Sequence, residues 1–183
     1  MSPGLARRFE LLEASRRRAV ALLGAHDRVA LNRPPGAGRW SALQVLHHVI
    51  ASESATLGYV RKKVLGGAAL PSVGVASRLK RLALQAALVL PLRFRAPAAT
   101  AAVPDDIDPA DLHARWEATR QLWRELLEEF PPALEDRLVF RHPFVGLMGL
   151  ADTLAFLEAH LEHHILQLER RPPFEPRGRL SSP

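Results

Sequence analysis

Three histidines near the C-terminal end of the chain, His160, His163 and His164, are the residues best placed to do chemistry. They lie in the periodic stretch Leu150–Arg170, LADTLAFLEAHLEHHILQLER. At 100° per residue, Leu150, Leu154, Leu157, Leu161 and Leu168 share one narrow arc, the buried seam of a helix. Their spacing suits helices packed almost antiparallel in a bundle. His160 and His164 flank that seam on successive turns, and His163 points away from it. Two imidazoles so placed can bind one divalent metal if another helix supplies a third ligand. The same spacing also arises by accident, and the two are then partly buried bundle histidines.

A second candidate stretch follows Trp40. Ser41 and Gln44 form the capping-box pattern S-x-x-Q, and Trp40 and Val45 stand where a hydrophobic staple would put them. This fixes a helix start and the positions of His47 and His48. The helix continues to about Gly66-Gly67, with Leu46, Val49, Ile50, Leu57, Val60 and Val64 on its apolar face. His47 lies about 100° from the centre of that face and His48 about 160° on the other side, so periodicity favours His47 as the inward one. Glu53 falls on the apolar face, which is costly for an uncompensated carboxylate. A buried salt bridge with arginine would explain it. So would a role as acid/base, or as the partner orienting a metal-bound histidine. His142, in Arg141-His142-Pro143-Phe144, is a second candidate for such a catalytic or orienting role.

The elements that must position these residues are helical. Strand signals are nearly absent, and prolines separate the periodic segments, so the expected class is all-α: an antiparallel four-helix bundle in a single domain, residues 1–183. Its first helix spans about Leu5–Leu23 and ends at Gly24, a residue suited to a left-handed turn. Asp27–Arg39 reads as an irregular linker. Asp108, Pro109 and Asp111 start a third bundle helix, running to about Phe130, with His113 near its surface-exposed beginning. Between the second and third helices Ser77–Leu90, SRLKRLALQAALVL, reads as an additional basic amphipathic arm. It is expected to cover the bundle mouth or join a homodimer contact rather than lie on a membrane. A polar tail begins at Arg177.

Composition narrows the chemistry. With 183 residues and no cysteine there is no disulfide, thiolate metal site or cysteine nucleophile, so any metal must be held by nitrogen and oxygen. The absence of cysteine and of a secretory signal fits a cytoplasmic location. No apolar stretch is long enough to span a membrane. The net charge of +6 comes from scattered arginines without a nucleic-acid motif or aromatic interleaving, so no specific nucleic-acid partner is expected. There is no G-x-S-x-G, P-loop or dinucleotide fingerprint.

Trp40 and His48 with seven residues between them, the segment HPFVG, and H-x-x-x-H followed by Gln167 resemble the DinB-like superfamily of bacterial four-helix bundles. The resemblance runs from about Leu12 to Arg170. It implies one divalent metal, commonly zinc or nickel, on His48, His160 and His164, and so prefers His48 where the helical wheel prefers His47. Gly149 departs from the family, which often has threonine there. Some members of the family look like bacillithiol transferases or mycothiol-dependent isomerases. The implied function is therefore a metal-dependent enzyme, a thiol S-transferase or a small-molecule hydrolase. It would act on a small-molecule substrate, with a low-molecular-weight thiol as co-substrate in the first case. The alternative is a non-catalytic metal-binding or stress-response module.

Overall fold

Local signals set the helices. Ser2 caps α1 (Pro3–Gly24), its hydroxyl accepting from the Leu5 amide at 3.4 Å. Ser41 opens α3 (Ala42–Leu65) with the full capping box: its hydroxyl accepts from the Gln44 amide, and its own amide donates to Gln44 Oε1. Asp108 caps α4 (Pro109–Glu128), accepting from the Ala110 amide at 2.8 Å. The last helix, α5 (Leu150–Glu169), has no side-chain cap. The computed structural model describes residues 1–66, 70–73, 103–143 and 146–170, so the arm expected at Ser77–Leu90 and the tail from Arg177 lie outside the described residues.

Three sequence expectations need correction. The linker 27–39 contains a short helix, α2 (Arg28–Asn32), which Asp27 caps through the Ala30 amide. The chain is not all-α: β1 (Leu138–His142) and β2 (Gly146–Gly149) pair as an antiparallel hairpin with an irregularity between Leu138 and Phe140. These strands are too short to show a period, and their pairing extends outside the hairpin. The Leu138 amide donates to Pro71 O, and the Val73 amide to Asp136 O, each at 2.8 Å. Finally, α1 does not close with a left-handed Gly24; Ala25 follows it in right-handed geometry. Among the described residues positive φ occurs only at Gly38 and Gly146, and Gly146 at φ 80° lets the chain enter β2.

Helix directions also differ from a wholly antiparallel bundle. Arg8 pairs with Glu158, and Arg18 with Glu162 and Glu169, so α1 and α5 run the same way. On α3 and α4, Gln44 bonds Pro104 just ahead of α4, and Ser54 meets Thr119, so these two are parallel as well. Arg16 with Glu117 and Arg120 with Glu13 make α1 and α4 antiparallel. The α3 and α5 helices are antiparallel too: His48 faces His160 and His164, while Tyr59 reaches Phe156 through Phe140. Two parallel neighbours joined in sequence need a connection as long as the bundle. The described ends of the segment between α3 and α4 lie accordingly: Pro71 bonds the β1 strand at one end of the bundle, and Pro104 and Ile107 bond Gln44 and Asn32 at the other.

The core forms two apolar halves. One gathers Phe9, Leu12, Leu57, Trp123, Leu127, Leu150 and Leu154 around the hairpin end. The other gathers Ala19, Leu43, Val49, Ile50, Trp116, Leu161 and Ile165 around the opposite end. On three helices a buried charge falls at the boundary between the halves: Glu13 on α1, Glu53 on α3 and Arg120 on α4. No helix among the described residues is long and apolar enough to cross a membrane.

Candidate metal centre

The α3 helix packs against α4 on one side and against α5 and the hairpin on the other. A helix contacted on two sides has no single buried arc, so His48, far from the centre of the main apolar face, is nonetheless only 5 % exposed. His48 meets His160 and His164 edge-on, with ring centroids 5.3 Å from each. The two α5 rings lie 4.7 Å apart at 83°, with their Nε2 atoms 3.1 Å from each other. Each of the three offers one ring nitrogen, and these nitrogens all lie within 4.8 Å of one another. Three imidazole nitrogens contributed by two helices could hold one divalent metal ion.

The surroundings are aromatic. Trp40, which precedes the cap of α3, sits 5.3 Å from the His48 ring, and Phe156 stacks on His160 at 5.7 Å and 19°. Burial pushes the His160 pKa well below its ordinary value, helped by the neighbouring His164 and His48. His160 Nδ1 is buried without a hydrogen-bond partner, whereas His164 Nδ1 lies 2.8 Å from Gln167 Oε1.

The remaining candidates are placed differently. His142, at the end of β1, is buried and packs edge-on against Phe156 at 4.6 Å, so one phenyl ring separates it from His160. Burial pushes its pKa down to about 4. Glu53 is fully buried and joins an ion pair instead of the histidines: Arg120 donates to both of its oxygens and Trp116 Nε1 to one. That is the arginine salt bridge among the explanations its sequence position allowed. Burial raises the Glu53 pKa, and Arg120 and Trp116 oppose the shift. Arg120 also reaches Glu13, and Glu13 in turn Arg16. His47 is not part of the histidine cluster; burial and Arg115 lower its pKa. His163 keeps company with the His164 ring at 5.3 Å but contributes no nitrogen to the cluster. Gly149 has a structural reason: a Cβ there would come within 3.1 Å of the Val73 side chain.

The roles of Phe156 and Gln167 beside the histidines were not singled out from sequence. Their i and i+4, or i and i+3, spacing to His160 and His164 was the available signal.

A model of the DinB superfamily matches residues 11–168, which is most of the chain. The chain belongs to the DinB superfamily. Among solved structures it is similar to YfiT from Bacillus subtilis, described as a probable metal-dependent hydrolase with an unusual four-helix bundle topology. That likeness has a TM-score of 0.61 at 18% identity, covering 93% of this chain and 89% of YfiT. It is also similar to TT2238, a four-helix bundle protein, with a TM-score of 0.56 at 24% identity over 90% of this chain and 98% of that one. These likenesses establish a four-helix-bundle fold. No curated protein matches the sequence.

Proposed function

We propose that this DinB superfamily member is a metal-dependent enzyme holding one divalent ion, zinc or nickel, on His48, His160 and His164. It would hydrolyse a small electrophilic substrate or transfer a low-molecular-weight thiol to it. The observation that carries the reading is the convergence of three imidazole nitrogens from two helices within 4.8 Å. His160 and His164 are only half-buried, so a small molecule can reach the site. Three protein ligands leave a position for water or substrate, as catalytic rather than structural sites do. When bound, the ion supplies Lewis acidity, lowering the pKa of a water to about 7 or favouring a thiolate over a thiol.

The protein's own groups set the rest. Glu53 is locked to Arg120, so it is not available as a general base. His142, its pKa pushed down to about 4 by burial, is too weak a base to hold a proton near pH 7, and from behind Phe156 it fits an orienting role instead. Phe156 stacks on His160 and Trp40 leans on His48, so aromatic rings flank two of the three histidines. The description of YfiT as a probable metal-dependent hydrolase supports the hydrolytic form.

Elemental analysis of untagged protein, followed by turnover assays with esters, amides and thiols plus electrophiles, tests this. About one equivalent of metal per chain and metal-dependent turnover are expected. Protein without metal would end the reading, and metal without turnover on any panel would reduce the chain to a metal-binding module.

A further inference from the structure

We propose that Gln167 is a positioning residue that fixes the tautomer of His164 and so leaves Nε2 of that histidine unprotonated. The importance of this for a bound ion rests on the function proposed above; the tautomer itself does not.

The argument begins with donors and acceptors. Gln167 Oε1, 2.8 Å from His164 Nδ1, is a carbonyl oxygen and can only accept. His164 Nδ1 must therefore carry the hydrogen and donate it. In the neutral ring this leaves Nε2 without one. His164 Nε2, 3.1 Å from His160 Nε2, is then the lone pair turned towards the neighbouring histidine. The amide needs no help from another element, because Gln167 stands three residues beyond His164 on the same helix, where side chains meet.

The reverse amide orientation would offer hydrogens to Nδ1, put the His164 proton on Nε2 and block the nitrogen that faces its neighbours. Histidine ligands generally depend on such a partner at the far ring nitrogen, and removing it costs about 10- to 100-fold in metal affinity. Gln167 is at the surface, where water competes for the bond, so the lower end, about tenfold, is expected here.

Long-range 1H–15N NMR of metal-free protein reads the tautomer directly, and competition titration with a zinc indicator reads affinity. Wild type should show His164 protonated at Nδ1. Gln167→Leu, which neither donates nor accepts, should show mixed tautomers and about tenfold weaker zinc binding, with an unchanged metal-free melting temperature. Gln167→Glu, which only accepts, should keep the Nδ1–H form and at least wild-type affinity. A wild-type His164 protonated at Nε2, or a Gln167→Leu variant unchanged in both tautomer and affinity, would overturn the proposal. If wild type shows the Nδ1–H form but binds no zinc, the positioning of His164 stands and the metal-enzyme reading alone fails.

Discussion

Arg120 grips Glu53 across the α3–α4 interface, with Nε 2.9 Å from Oε2 and Nη2 2.7 Å from Oε1, and neither side chain is more than 2% exposed. The pair does more than neutralise a carboxylate. It ties the α3 helix, five residues beyond His48, to a neighbour that runs parallel to it, and through Glu13 it ties both to α1.

Removing one member should therefore unfold the protein more easily without emptying the histidine site. Arg120→Met leaves Glu53 buried without its cation and Glu13 with Arg16 alone, and should cost about 3–5 kcal/mol, read from urea unfolding. In the protein that remains folded, zinc affinity should match wild type. A variant with full stability and lost turnover would instead return Glu53 to the chemistry.

The histidine cluster makes opposite predictions for two adjacent residues. His48→Ala should abolish stoichiometric zinc, whereas His47→Ala should retain it, as measured by elemental analysis of untagged protein. Zinc at a hundred times its dissociation constant should stabilise wild type by about 2.7 kcal/mol and His48→Ala by little. Equal loss in both variants would place the third ligand elsewhere.

His142 gives the metal-free protein a pH dependence. Its folded pKa of about 4 lies below the ordinary 6.5, so the unfolded chain takes up a proton first as pH falls. Above about pH 6.5 both states are neutral and the group is silent. Between 6.5 and 4 the unfolded state binds more protons, and stability declines with falling pH, by up to about 3 kcal/mol for this one group. Urea unfolding at pH 7.5, 6 and 4.5 in the presence of a chelator should show a shallower decline for His142→Phe than for wild type. Parallel curves would mean that His142 titrates normally in the fold.

The capping box that sets the register of His48 has a separate energetic signature. Ser41→Ala removes the hydroxyl that accepts from the Gln44 amide at 3.2 Å and should cost about 1 kcal/mol. Ser41 is fully buried, so no water can replace the bond, and Ser41→Thr should recover most of the loss. Thermal or urea unfolding that does not distinguish Ser41→Ala from wild type would contradict this account of the helix start.

What the sequence determined by itself is local. The starts of α3 and α4, the leucine seam of α5 and the pairing of His160 with His164 depend on groups within a few residues of one another, and side-chain caps and helical period report them directly. The tertiary structure decided whatever depends on remote partners. Glu53 and Arg120 are 67 residues apart, and nothing near either names the other. The hairpin became strand by pairing with itself and with the segment near Pro71, not through a period of its own. His48 rather than His47 joins the histidine cluster because α3 is packed on more than one side, which a single helical wheel cannot contain. The two parallel helix pairs were likewise invisible, since periodicity records which face of a helix is buried but not which way its neighbour runs.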